Sequence, residues 1–363
     1  MKAVALTNSV PLPIDRALQG LDVLRLRSFR SALSLRALRS VLVERDRRLG
    51  VAVAVHACVT FALAVYFPVL LFVLGPVLFG VAHVAADVRY LVIRPRLSRL
   101  GRAALAGGCV LFLATSAVDA FHRSLVPARL ELGLAGVWAV LAVVAGASRR
   151  RIRHALTGLA VVAAVSGVAL ARPSEFRLVY AHAHNLVGLL AWPLFFRKRL
   201  RLLQRVVFGA LVAAVVLASG VFSASTLASA GVSMFRVHVL QVALWLAPFE
   251  RTDWAVGATS AFVFLQALHY SMWLTVVPQG ALPGEGTQSF ARSAQSLLAD
   301  FKPWGLAVVA ACALAVLFAA FANPGRAAAT YLRLATFHGY LELAALLHVW
   351  VRGYAPCLGV RHG

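Results

Sequence analysis

The sequence predicts an all-α protein, a polytopic integral membrane helical bundle with about eleven transmembrane helices. Two features of the composition point to this class: the chain of 363 residues is 61% hydrophobic and only 13% charged, and its mean hydropathy is +0.82. Apolar runs long enough to cross the hydrocarbon core of a bilayer recur along the chain. The arginines fall in short clusters between these runs, as the loops of a membrane protein do.

The apolar runs predict a transmembrane domain over 51–351, preceded by a basic segment, 1–50, and followed by a short C-terminal tail, 352–363. The predicted spans are 51–74, 76–93, 103–119, 131–147, 154–171, 178–196, 206–229, 232–249, 255–277, 304–322 and 328–351. Only a few polar or small residues separate the seventh span from the eighth. The count is therefore eleven, give or take one.

The arginine clusters predict the orientation of the bundle. Basic loops gather on the cytoplasmic side of membrane proteins, so we expect the N-terminus and the clusters within 94–102, 149–153 and 197–205 to be cytoplasmic. The connection 278–303 then falls on the opposite side, with a short surface helix from Ser289 to Phe301. The basic N-terminal segment is interpreted as a partly helical stretch on the headgroups or as a flexible tail. We expect the protein in the cytoplasmic membrane of a bacterium.

The formal net charge of +23 does not indicate a nucleic-acid partner, because the charges are distributed as topology signals between apolar runs. The expected partners are the lipid bilayer and a lipophilic small molecule. The four cysteines are scattered and form no C-x-x-C motif, so the sequence supports no thiolate metal site. The oligomeric state does not follow from the sequence.

One ionisable pair lies inside an apolar run. His83 and Asp87 are four residues apart, so on a helix they share a face. Ionisable side chains within a membrane are costly and normally face the bundle interior with a partner. Two interpretations are open: a structural pair that locks helices together, or a metal ligand with its carboxylate or a proton relay.

Further histidines occupy the outer half or the middle of other predicted spans: His184, His238, His269 and His338. Several neutral imidazoles at similar depth fit a transition-metal site. Asp87 and Glu342, the latter one turn from His338, are the predicted catalytic carboxylates, which would orient ligands or carry protons. His182 points about 160° away from His184 on a helix, so only one of the two can be a ligand, and His184 is preferred.

The segment from Gly80 to Asp87, GVAHVAAD, resembles the G-x-x-H-x-x-x-D segment of the Brp/Blh family of membrane-embedded β-carotene 15,15′-dioxygenases. The resemblance implies iron held by histidines from several helices. Together with the histidine pattern it predicts a non-haem iron oxygenase acting on a lipophilic, carotenoid- or lipid-like substrate. The predicted metal ligands are His83, His184, His238, His269 and His338. The alternatives are a proton- or ion-coupled transporter that uses the same residues as a relay, and a structural membrane subunit.

Overall fold

The computed structural model describes residues 13–95, 97–121, 127–195, 200–248, 251–282 and 286–353. Within these ranges the chain is almost entirely helical, and a single hairpin of two short strands is the only sheet among them. The predicted all-α class is therefore confirmed. Parts of two predicted segments lie outside the described residues. They are residues 1–12 of the basic segment 1–50 and residues 354–363 of the tail 352–363.

The helices follow one another along the chain with short connections. They are α1 Pro13–Ser34, α2 Arg36–Val43, α3 Arg45–Tyr66, α4 Pro68–Gly75, α5 Val81–Val88, α6 Arg99–Phe121, α7 Ala128–Gly146, α8 Ile152–Ala171, α9 Pro173–Phe195, α10 Arg201–Ala218, α11 Ser223–Ala228, α12 Val239–Leu246, α13 Thr252–Ser271, α14 Val277–Gly280, α15 Phe290–Ala322, α16 Pro324–Leu334 and α17 Thr336–Arg352. The antiparallel hairpin joins β1 Ser233–Met234 to β2 Val237–His238. Wider π-helical turns at Pro76–Gly80, Arg89–Ile93 and Met272–Val276 interrupt the α-helical geometry without ending the helices, and short 3₁₀ turns occur at Arg149–Arg151 and Ala230–Val232.

Nine helical segments in the described part of the chain are long and apolar enough to cross a membrane. They are Arg45–Tyr66, Pro68–Ile93, Arg99–Asp119, Ala128–Gly146, Arg149–Ala171, Arg201–Ala218, Thr252–Gly280, Phe290–Ala322 and Pro324–Arg352. This supports an integral membrane protein. The predicted count of eleven is not confirmed.

The first helix break lies about two turns before its predicted place, at Phe67 rather than between the predicted spans 51–74 and 76–93. Helix α3 ends at Tyr66 and Pro68 begins the next helix, a position where proline is tolerated because the first helical N–H has no acceptor within the helix. Pro76, expected to begin the second span, instead lies in a π-helical turn within it.

The predicted span 232–249 is wrong. Helix α10 already ends at Ala218, and the chain then forms α11, the hairpin and the 8-residue helix α12. Eight helical residues reach only about 12 Å, less than half of a bilayer core. These elements are therefore a connection rather than a crossing, and each later helix runs in the direction opposite to the prediction.

The prediction that 278–303 lies on the side opposite the arginine clusters is wrong for the same reason. Asp300 accepts a hydrogen bond from Arg94 Nε at 2.8 Å, so this connection meets the cluster that begins at Arg94. The backbone N–H of Phe290 donates to Asp22 in the N-terminal basic segment at 2.8 Å. The connection and the basic segment are therefore at the same end of the bundle.

The short helix predicted within this connection is confirmed. The side chain of Ser289 caps its first turn, and the helix deforms at Lys302, whose φ of 61° is not helical, before Pro303. Beyond this kink the chain continues as a long apolar helix that lies at the periphery of the bundle.

Two long segments form the centre of the bundle. In the most apolar part of Thr252–Gly280, 78% of the residues are buried by the protein, and in that of Pro324–Arg352 the share is 61%. The other seven segments, of which none exceeds 33%, surround these two. Polar groups inside a membrane protein are tolerated at such a protein-enclosed centre, and the candidate site lies there.

Candidate metal centre

Three histidines and one aspartate from three parts of the bundle converge. His83 and Asp87 on α5, His269 on α13 and His338 on α17 each present one ligand atom, and these four atoms lie within 4.8 Å of one another. All four side chains are buried. The ring of His83 is centred 4.7 Å from that of His338 and 5.3 Å from that of His269.

Irregular turns next to each ligand position these side chains. A π-helical turn ends just before α5, and another begins just after His269, at Met272. Such turns change the angular spacing of side chains and are frequent at functional sites. His338 follows the break between α16 and α17. Each of the three histidines lies at least ten residues from both ends of its membrane-length segment, so the cluster is near the middle of the bundle.

The hydrogen bonds of the imidazoles select the tautomer that a metal ligand requires. In His83, His184 and His338, Nδ1 lies within hydrogen-bond distance of the backbone carbonyl three residues earlier, at 2.7 Å in His83 and 3.0 Å in His184. A carbonyl only accepts, so Nδ1 must carry the hydrogen and Nε2 must carry the lone pair. In these three rings Nε2 therefore has the lone pair with which a histidine binds a metal ion.

The polar atoms at the centre of the cluster are unpaired. Within the described residues no hydrogen-bond partner exists for Nε2 of His83 and His338, for either ring nitrogen of His269 or for either oxygen of Asp87, although all are buried. Each unpaired buried polar atom costs about 1–3 kcal/mol, and native proteins rarely leave several together. A cation at the centre of the cluster would satisfy the Asp87 carboxylate and one nitrogen of each imidazole ring.

The distances suit a transition metal. Nitrogen and oxygen ligands bind such ions at about 2.1 Å, so two ligands of one ion lie at most about 4.2 Å apart. His83 Nε2 and Asp87 Oδ2 are 3.9 Å apart, too far for a hydrogen bond and within this limit. Two ligand atoms of this group that are as far apart as 4.8 Å would have to move about half an ångström closer together to bind the same ion. Asp87, for which the sequence predicts an orienting or proton-carrying role, is therefore a candidate ligand itself.

Glu342 contacts a different histidine from the one that its position in the sequence suggests. Its Oε1 lies 3.4 Å from Nε2 of His269 and accepts a hydrogen bond of 2.8 Å from Trp273 Nε1. Carboxylates commonly orient a ligating histidine in this way. Glu342 thus lies beside the cluster, on α17 like His338 and in contact with α13.

His184 also borders the cluster. Its ring is centred 5.2 Å from that of His338 and 5.6 Å from that of His269, but it is not one of the four residues that share the 4.8 Å group. His182 points elsewhere and hydrogen-bonds the carbonyl of Leu246 at 2.7 Å. The opposite directions of the two side chains follow from the helical geometry of α9.

His238 lies outside the cluster, contrary to its prediction as a metal ligand. It is the last residue of β2, where its Nδ1 accepts a hydrogen bond from the backbone N–H of Leu240 and caps α12. Its predicted depth assumed a membrane span over 232–249. Because that span does not form, the argument for His238 as a ligand fails with it.

Close backbone approach at two glycines makes room for the site. A Cβ atom at Gly188 would lie 2.2 Å from Nδ1 of His269, and one at Gly339 would lie 2.5 Å from the hydroxyl of Tyr180. Real Cβ atoms do not approach other atoms so closely. Neither glycine was predicted from the sequence, since only the packing of α9 against α13 and α17 shows what each one faces.

A cavity of about 270 Å³ adjoins the cluster. His184 and His338 form one end of it, and its walls include the aromatic side chains of Tyr180, Tyr270 and Tyr340. None of these tyrosines was predicted from the sequence. Tyr180 carried a detectable signal in the sequence, because it is one turn before His184 and therefore shares its helix face.

Compared with protein-family models, curated proteins and solved structures, the chain matches none. The resemblance of GVAHVAAD to the Brp/Blh segment therefore stays a prediction.

Proposed function

We propose that this protein is a membrane-embedded metal-dependent enzyme, a non-haem iron oxygenase that acts on a lipophilic substrate. The observation that carries the proposal is the set of buried, unpaired ligand atoms of His83, Asp87, His269 and His338. Imidazole nitrogens together with one carboxylate, with positions left open, are the donor set of non-haem iron oxygenases. The choice of iron also rests on the resemblance of the GVAHVAAD segment.

The unpaired atoms favour a metal over the two alternatives. A proton relay needs a chain of hydrogen-bonded groups, whereas His83 Nε2 and Asp87 Oδ2 are 3.9 Å apart and, among the described residues, bond to nothing. A structural pair would close to hydrogen-bond distance, because a buried ion pair with poor geometry does not offset its desolvation. The transporter and the structural subunit are therefore less well supported.

Each residue of the site has a distinct task in this proposal. His83, Asp87, His269 and His338 would hold the metal, which would supply redox chemistry with dioxygen. Glu342 orients the ring of His269 by its contact with Nε2 and is itself held by the indole N–H of Trp273.

The surroundings of the ligands suit an apolar reactant. The aromatic walls of the adjoining cavity offer apolar surface to a lipophilic molecule. Because His338 is both a candidate ligand and part of the cavity wall, this cavity gives a reactant a route to the cluster.

Metal content tests the proposal directly. Elemental analysis of the purified full chain should find about one iron per chain, and His83→Ala and His338→Ala should lose it. His348→Ala is the matched control, because His348 is a buried histidine on the same helix as His338 whose Nδ1 bonds the carbonyl of Ala142, away from the cluster. We expect this variant to keep its metal.

The folding of each variant is checked by gel filtration and circular dichroism, so that loss of metal is not confused with unfolding. Wild-type protein that binds no transition metal when supplied with iron, zinc or manganese would overturn the proposal. Retention of metal by both His83→Ala and His338→Ala would do the same. Oxygen consumption with lipophilic compounds then tests the oxygenase activity itself.

A further inference from the structure

The cavity beside the cluster has one apolar end and one charged end. On α9 the residues Arg177, Tyr180 and His184 all line it, and their spacing of three and four residues places them on one helix face. His184 is seven positions after Arg177, which corresponds to a rise of about 10 Å along the helix axis. The cavity therefore extends from a charged mouth near the start of α9 to the histidines in the middle of the bundle.

Two carboxylates and two arginines lie at the mouth, and among the described residues only one of the arginines is ion-paired. Glu131 accepts a hydrogen bond from the hydroxyl of Tyr340 at 2.9 Å and pairs with Arg177 at 3.2 Å, so its charge is compensated. Arg333 also lines the cavity, and no carboxylate in the described chain lies within ion-pair distance of it. Asp119 borders a small adjoining cavity of about 20 Å³ together with both arginines. Arg333 is thus the arginine at the mouth that forms no ion pair with a described carboxylate.

The walls between the two ends suit a hydrocarbon chain. Tyr180 and Tyr340 stack in parallel with ring centroids 4.7 Å apart, and Trp245 and Phe262 also line the cavity. The same tyrosine pair borders a second cleft of about 180 Å³, whose other lining residues are almost all apolar. The tyrosine pair therefore lies between two clefts that both offer apolar surface.

We propose that the substrate of this site is an anionic amphiphile rather than a pure hydrocarbon. Its carboxylate or phosphate head would bind Arg333, with Arg177 nearby, and its apolar chain would extend along the tyrosines to the metal cluster. That the amphiphile is a substrate rests on the proposed function, but its binding requires no metal.

The test uses metal-free full chain in nanodiscs of zwitterionic lipid and a stearate spin-labelled in mid-chain as the probe. The motionally restricted fraction of its spectrum reports binding. We expect the stearate to bind about 10-fold or more tightly than its methyl ester, because a charge-assisted hydrogen bond is lost in the ester. Displacement by dodecyl phosphate or by laurate distinguishes a phosphate head from a carboxylate head.

Variants at the mouth locate the binding site. Arg333→Gln should weaken stearate binding about 10-fold and leave the methyl ester unchanged. Arg326→Gln is the matched control, because Arg326 is an exposed arginine on the same helix that does not line the cavity. Arg333→Glu should reverse the preference, so that stearylamine binds more tightly than stearate.

Equal binding of the acid and the ester, or equal effects of Arg333→Gln and Arg326→Gln, would overturn this inference. Such a result would leave the proposed enzyme in place with a neutral lipophilic substrate. Conversely, wild-type protein without metal would remove the enzyme while the stearate measurements stand. The two failures are therefore distinguishable.

Discussion

Replacement of Asp87 by asparagine should stabilise the metal-free protein and reduce the additional stability that bound metal provides. In the metal-free protein both carboxylate oxygens of Asp87 are buried without a donor among the described residues, and the nearest imidazole nitrogen is 3.9 Å away. An asparagine of the same shape removes the ionisable group at this position. Removal of an uncompensated buried charge is stabilising, and we expect Asp87→Asn to raise the free energy of unfolding of the metal-free protein by about 1–2 kcal/mol.

With metal present, weaker metal binding offsets or exceeds this gain. Loss of a carboxylate that orients a ligand typically weakens metal binding 10–100-fold, or about 1.4–2.7 kcal/mol, and loss of a direct ligand weakens it at least as much. Because the metal binds only the folded state, weaker binding lowers the free energy of unfolding by a similar amount when the free metal concentration exceeds both dissociation constants. His83→Ala should show the larger loss of the two if Asp87 only orients a ligand, and a comparable loss if Asp87 binds the metal directly.

The assay is thermal unfolding of wild type and variant in detergent, with a chelator and with added iron. Asp46→Asn is the matched control, because the Asp46 carboxylate accepts hydrogen bonds from the backbone N–H groups of Leu202 and Leu203, at 3.0 and 3.2 Å. This carboxylate has a structural role, so its variant should be destabilised equally with and without metal. If Asp87→Asn behaves like Asp46→Asn, the carboxylate at 87 is structural and the metal centre is refuted.

The membrane topology, the cap at His238 and the close contact at Gly188 can each be tested by one measurement. Cysteines introduced into 94–102 and 278–303 should be labelled from the same side of the membrane by an impermeant reagent, and labelling from opposite sides would contradict the ion pairs between these regions. His238→Ala should leave metal content unchanged and cost about 1 kcal/mol in unfolding free energy, because it removes only a helix cap; loss of metal would return this histidine to the ligand set. Gly188→Ala should reduce metal content, because its Cβ would lie 2.2 Å from an imidazole nitrogen, whereas Gly167→Ala, with no atom within 4 Å of the added Cβ, should not. Equal metal content in the two glycine variants, measured by elemental analysis, would show that the close contact does not position the ring.

The membrane class and the identity of most site residues follow from the sequence. A chain in lipid must satisfy its backbone polar groups within itself, so long apolar runs predict helices without knowledge of their packing. Ionisable groups in such runs are expensive and must face protein. For this reason His83, His269 and His338 were recognisable as candidates, and all three converge in the structure.

The topology between 218 and 252 required the tertiary structure. Hydropathy measures how apolar a segment is, and the segment 232–249 is apolar enough to resemble a span. Its strands and short helix α12 pack instead against neighbouring helices at one end of the bundle. That packing buries apolar side chains as effectively as lipid does, so hydropathy does not distinguish the two. Because a span over 232–249 was predicted, the connection 278–303 was expected at the wrong end of the bundle and His238 was expected among the ligands.

The rotation of each helix about its axis was also decided only by packing. Depth follows from position along a helix, at about 1.5 Å per residue, but the direction of a side chain depends on which neighbouring ridges and glycines the helix meets. The π-helical turns beside α5 and α13 change that direction further. Thus the contact of Glu342 with His269, and the cavity that joins Arg333 to the histidines, arise from residues distant in sequence. The amino-acid sequence determined which polar groups lie within the apolar runs, and the tertiary structure alone determined which of them meet.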